Sequence, residues 1–154
     1  LMFASQNGHV DVVRLLLHHT PGTNVNQAHE HGWTSLMLAS QKGYVDIVRL
    51  LLHHTPGIHV NHAHDDGWTS LIFASQNGYA DIVELLLGIP GILVNQAMLD
   101  GSTALVFASQ KGHTEVVRLL LGAPDIRVNQ ADAHGWMPLI FASRNNHVDV
   151  VRLL

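Results

Sequence analysis

The side chains here that could do chemistry are carboxylates and histidines, and their spacing decides what they can do. Glu30, Asp65, Asp66 and Asp100 each lie one or two residues before a glycine. Two carboxylates act as a general acid and base only where burial or a close neighbour drives their pKa values apart. These four stand next to Gly in short polar stretches, which reads as solvated turn tips. His29 and His31, then His62 and His64, repeat at two-residue spacing, so each pair falls on one face of an extended segment. Four imidazoles could hold zinc if the two segments met. Neighbouring segments are expected about 10 Å apart, which is too far for a shared shell, and later copies lack the pattern. No metal and no cofactor are expected. Ser5, Ser40, Ser75, Ser109 and Ser143 recur without a His or Asp partner, and no glycine-rich phosphate loop is present. The chain does not read as an enzyme, and no small-molecule substrate is expected.

What positions these residues is an internal repeat. GWTSLIFASQNGYADIVELLLGIPGILVN from Gly67 matches GWTSLMLASQKGYVDIVRLLLHHTPGIHVN from Gly32 and GSTALVFASQKGHTEVVRLLLGAPDIRVN from Gly101. Shorter copies open and close the chain: LMFASQNGHVDVVRLL from Leu1 and GWMPLIFASRNNHVDVVRLL from Gly135. Self-similarity at such a period marks a solenoid. We divide the single domain, 1–154, into a partial repeat 1–28, whole repeats 29–63, 64–97 and 98–131, and a partial repeat 132–154. Both ends cut through a repeat, as expected for a piece of a longer array.

The local signals are the same in each copy. Thr34, Thr69 and Thr103 are N-caps for a first helix of about two turns, such as Ser70–Asn77. Gly8, Gly43, Gly78 and Gly112 close it where a left-handed residue is wanted. A second helix follows, with Asp11, Asp46, Asp81, Glu115 or Asp149 in its first turn. Arg14, Arg49, Arg118 or Arg152 stands three residues on, and such exposed pairs contribute little. The second helix is apolar on two sides (Ile82, Val83, Leu85, Leu86, Leu87), so it must be covered by its own copy and the next. His18-His19 and His53-His54 fall at its C-terminus, which suits partial positive charge. His-Thr-Pro-Gly, Ile-Pro-Gly and Ala-Pro-Asp then form turns. Val25, Val60, Val94 and Val128 begin an extended arm that glycine turns back, predicting a hairpin finger.

Gly-x-Thr-x-Leu-x-x-Ala, then Val/Ile-Val-x-Leu-Leu-Leu and Val-Asn, resembles the ankyrin repeat, and the match runs through the whole chain. The resemblance implies an all-α-dominated repeat solenoid of helix–turn–helix units with projecting β-hairpin loops. Thr-Pro-Leu-His of the family becomes TSLM, TSLI, TALV and MPLI, so the histidine that ties adjacent repeats is apolar here. In the last copy Met137 replaces the capping Thr and Asn146 the closing Gly, which makes it the weakest. Asn26, Asn61, Asn95 and Asn129 match a position that is hydroxylated in some ankyrin proteins.

The resemblance also implies a concave partner-binding groove. Its finger side would be Glu30, His31, Trp33, Asp65, Asp66, Trp68, Leu99, Asp100, Ser102, Ala133, His134 and Trp136. Its helix side would be Gln6, Asn7, Gln41, Lys42, Gln76, Asn77, Gln110, Lys111, Arg144 and Asn145. The tryptophans follow the finger glycine, and they serve either as partner anchors or as packing between fingers. The implied function is a protein–protein interaction scaffold. The alternative is a structural array stacking end to end into a filament, its partner being copies of itself.

Composition sets the outer bounds. Apolar residues make up 47% and charged ones 13%, ample for a core and unlike a disordered chain. A formal charge of −4 argues against nucleic-acid binding. No apolar run reaches the ~20 residues that span a bilayer. There is no cysteine, so disulfides and thiolate metal sites are excluded. An intracellular, cytoplasmic location is expected.

Overall fold

The computed structural model describes residues 1–19, 22–54 and 57–154, the side chain of His54 apart. The Thr-Pro turns of the first two loops lie outside the described residues, as does any capping by the His54 ring. Among the described residues ten α-helices form five antiparallel pairs: α1 (Met2–Gln6) with α2 (Val10–His19), α3 (Ser35–Lys42) with α4 (Val45–His54), α5 (Ser70–Asn77) with α6 (Ala80–Leu87), α7 (Ala104–Lys111) with α8 (Thr114–Leu121), and α9 (Pro138–Arg144) with α10 (Val148–Leu153). First helices pack on first helices and second on second, which gives two layers. Between them lie Met37, Ile47, Leu51, Ile72, Ile82, Leu86, Leu105 and Leu120, all fully buried.

The helix ends follow the sequence signals. Thr34, Thr69 and Thr103 accept hydrogen bonds from the backbone N–H groups of Met37, Ile72 and Val106. Met137 makes no such cap, Pro138 starts α9 instead, and Asn146 takes the left-handed φ of 59°. Gly43 has φ 78°, and a Cβ there would lie 2.7 Å from the ring of Tyr79 in the next unit. Glycine is therefore required twice at this corner, by the backbone and by the neighbour's ring. The His113 and His147 rings take the same seat in later units, each with Nε2 3.0 Å from a first-helix carbonyl, of Gln76 and Gln110.

The apolar replacements for the family histidine are core residues: Met37, Ile72 and Val106 are buried, while Ile140 is exposed. An apolar side chain at this place brings no buried polar group that needs a partner. Ser5, Ser40, Ser75 and Ser109 are fully buried, and their hydroxyls have no hydrogen-bond partner. Of the expected ion pairs the structure forms Glu115–Arg118 at 3.4 Å and Asp149–Arg152 at 3.2 Å, both exposed.

The hairpin strands expected in the fingers are not confirmed. Among the described residues there is one isolated bridge, Ala97 with Thr103, and a short 3-10 turn at Glu30–Gly32. Each finger is a tight turn closed by two backbone bonds, as from His64 N–H to the Trp68 carbonyl at 2.8 Å and from Gly67 N–H to the His64 carbonyl at 2.7 Å. A further donor, in the turn itself, goes sideways. Asp65 N–H reaches the His31 carbonyl at 3.0 Å, Leu99 N–H that of Asp66 at 3.1 Å, and Ala133 N–H that of Asp100 at 2.8 Å. The fingers are thus stitched into a row.

A second seam lies at the opposite edge. Asn61 Oδ1 accepts from Leu93 N–H at 2.9 Å and its Nδ2 donates to the Gly91 carbonyl at 2.8 Å. Asn26 and Asn95 hold the next loop in the same two-point way. Asn26, Asn61 and Asn95 are therefore couplers between units. Asn61→Ala should lower stability by about 1–2 kcal/mol and speed amide exchange at Leu93. An unchanged urea midpoint with unchanged exchange would show that the seam is idle.

Candidate functional site

The concave face is built where the fingers meet the first helices. Trp68 follows a finger glycine, and its indole lies between two helix phenylalanines. Its centroid is 4.7 Å from Phe73 of α5 and 5.0 Å from Phe107 of α7, with interplanar angles of 12° and 29°. Trp33 covers the other side of Phe73 at 5.0 Å and 22°. Four rings, Trp33–Phe73–Trp68–Phe107, thus form a continuous stacked ribbon across three units. Stacking of this kind adds roughly 0.5–1.5 kcal/mol per pair beyond burial. Phe73 is buried, while Trp33, Trp68 and Phe107 keep part of their surface in solvent. The indoles therefore pack and face outward at once.

The ribbon breaks at the fourth finger. Ser102, expected on the groove surface, is a correction: it is only 6% exposed, and its N–H is held by Asp100 Oδ1 at 2.9 Å. A small turn residue beneath its neighbours offers a partner almost no side-chain area. Beyond it Trp136 leans on Phe141 of α9 at 5.3 Å, with the Arg144 guanidinium 4.9 Å over its ring. This is a separate cation–π cluster.

Charged residues stand along both edges of the face. Glu30, His31, Asp65, Asp66, Asp100 and His134 are exposed at the finger tips, with Leu99 80% exposed among them and Ala133 exposed beside them. The far ends of the first helices carry Lys42, Lys111 and Arg144, also exposed. Gln6, Asn7, Asn77 and Asn145 are exposed there too, and Gln41, Gln76 and Gln110 partly so. The asparagines already have work: Asn77 Nδ2 donates to the Phe73 carbonyl at 2.9 Å and Asn145 Nδ2 to that of Gln110 at 2.9 Å. They close helix ends, so their amides are partly committed. A hollow of about 340 Å³ lies at one end of the face, lined by Phe3, Trp33, Leu38 and Gln41 among others.

The histidines are closer together than their spacing suggested. The His31 and His64 rings are 6.3 Å apart, because the tips are bonded side by side. His31 Nδ1 lies 3.2 Å from Asp65 Oδ2 and His64 Nδ1 3.6 Å from Asp66 Oδ2. His64 also meets Trp33 edge-on at 5.1 Å, while His62 Nε2 turns away to the Gly32 carbonyl at 3.1 Å. His62 and His64 are thus used in joining fingers. Among the described residues no three His, Asp or Glu side chains gather where they could hold a metal ion.

With stacked helix pairs and bonded finger turns established, the comparison with known families is decisive. The family described as ankyrin repeats (3 copies) matches residues 1–97 and 90–154. The chain belongs to the ankyrin-repeat family. Ankyrin repeats are generally modules of protein–protein interaction, and the proteins built from them are typically non-enzymatic scaffolds. No curated protein matches this chain significantly. Among the described residues no helix is long and apolar enough to cross a membrane.

The repeat pattern does not single out the phenylalanines. Phe73 and Phe141 stand five residues after Trp68 and Trp136, and Phe107 five after Ser102. That recurring interval was the available signal. It joins a loop residue to the face of the following helix, so neither helical nor strand periodicity displays it.

Proposed function

We propose that these ankyrin repeats bind another protein along the concave face, with Trp33 and Trp68 as its anchors and the charged tips and helix ends as its rim. The stacked ribbon supports this most directly. It holds two large side chains in place and partly open to solvent, so little order is lost when a partner covers them. Residues that combine rigidity, area and a polar edge dominate binding energy at interfaces. Glu30, His31, Asp65, Asp66, Leu99, Asp100, Lys42 and Gln41 then surround the anchors on one side or the other. Gln76, Asn77, Gln110, Lys111, His134, Trp136, Arg144 and Asn145 extend the surface along the stack. The partner is a protein, and the chain performs no chemistry on it.

The test begins with a binder selected against the chain from a random protein-display library. Trp68→Ala should weaken that binder by about 2 kcal/mol or more. Glu84→Ala, an exposed change on α6 in the other layer, should leave it unaffected. Because Trp68 also packs, Trp68→Phe is measured beside it, and thermal melting accompanies each titration. Full affinity in a folded Trp68→Ala chain would remove the tryptophans from the site.

A further inference from the structure

We infer that the segment recognised on this face is an amphipathic α-helix lying along the stack, with a basic flank toward the finger tips and an acidic flank toward the helix ends. This rests on the concave face being the binding surface. Three features of the face select that occupant.

The first is width. The finger turns lead into the N-terminal caps of the first helices, and the cationic residues stand at their C-terminal ends. A first helix of eight residues, such as α5, is about 12 Å long, and a helix with its side chains is about 10–12 Å across. The acidic tips lie beyond the N-terminal caps, so the two charged rows stand at least the length of a first helix apart, which is room for a helix between them. The second is pitch. Trp33 and Trp68 are separated by the single ring of Phe73, which places them about 10 Å apart at ordinary stacking distances. Seven residues of α-helix rise about 10.5 Å. A helix along the groove therefore presents the same face at every unit, as a heptad pattern does. An extended chain alternates its side chains every two residues, about 6.8 Å, and falls out of step.

The third is charge. Glu30, Asp65, Asp66 and Asp100 line the tip side, all exposed, while Lys42 and Lys111 stand exposed across the ribbon. Two rows of opposite sign with an aromatic floor between them fit a helix with an apolar stripe and oppositely charged flanks. A partner of one sign throughout would meet repulsion along one edge.

The three tryptophans of the chain all lie on this face, so their fluorescence reports it alone. The probes are Trp-free peptides of about three heptads with a leucine stripe. One has Lys on one flank and Glu on the other; its relatives carry Lys on both flanks or Glu on both. A fourth keeps the mixed composition but has proline in each heptad, so that it cannot be helical. The mixed helix should bind at least about 10-fold more tightly than either single-sign helix at low salt. It should also bind at least about 10-fold more tightly than the proline peptide. Asp65→Lys with Asp66→Lys should move the preference to the Glu-flanked helix. Equal binding of helix and proline peptide would overturn the helical occupant, and equal binding of the three charge forms would overturn the flank assignment. Absence of binding by the mixed helix overturns the inference as a whole. None of these results touches the reading of the face as a binding surface, which fails only if a library-selected binder ignores Trp68→Ala.

Discussion

Leu86→Ala is expected to destabilise the chain by roughly 2–5 kcal/mol. Leu86 is fully buried at the inner face of α6, whose layer packs against α4 on one side and α8 on the other. Truncation would remove the transfer free energy of three carbons and leave a cavity between rigid helices that cannot close over it. Short helices of this kind have little stability of their own, so the loss passes to the neighbouring units. Leu99→Ala provides the contrast. That side chain is 80% exposed on a finger, and its removal should change the urea midpoint by an amount equivalent to at most about 0.5 kcal/mol. Similar midpoints for the two variants would mean that the second-helix layer is not the core.

The other large effect is expected at a glycine. Gly67 has φ +92°, and a Cβ there would lie 2.6 Å from the Cα of Met98 in the next finger. The obstacle is backbone, which cannot swing aside as a side chain does. Gly91 has a similar φ, +82°, but nothing lies within 4 Å of its added Cβ. Alanine at Gly91 should therefore cost only the left-handed backbone penalty, about 1–2 kcal/mol. Gly67→Ala adds overpacking to that penalty and should cost roughly 2–5 kcal/mol. It should also free the Leu99 N–H, which bonds the Asp66 carbonyl at 3.1 Å, raising its amide exchange. Equal costs at the two positions, with Leu99 exchange unmoved, would show that the fingers are not packed backbone to backbone.

Both variants probe contacts between units, and that is where sequence and structure divide. The repeat alone determined the helix pairs, their caps and the stacking layers. Thr69, Gly78 and the apolar run Ile82–Leu87 act through bonds and periodicities within a few residues of themselves, and such signals are written in order along the chain. α5 consequently has the bounds its cap and closing glycine set.

The tertiary structure decided what each side chain does once units are stacked. Trp68 reads equally well as anchor or packing until Phe73 and Phe107 are seen on its two faces. Ser102 shares the indole position, yet it is buried in its turn. The asparagines look like loop residues but bridge to backbone about thirty positions on. The finger tips lie close enough that backbone N–H groups in each turn find an acceptor on the adjacent finger. Each of these outcomes depends on the distance between groups far apart in the chain. That distance is fixed by how closely the first helices pack, a collective result of the whole core that no local pattern encodes.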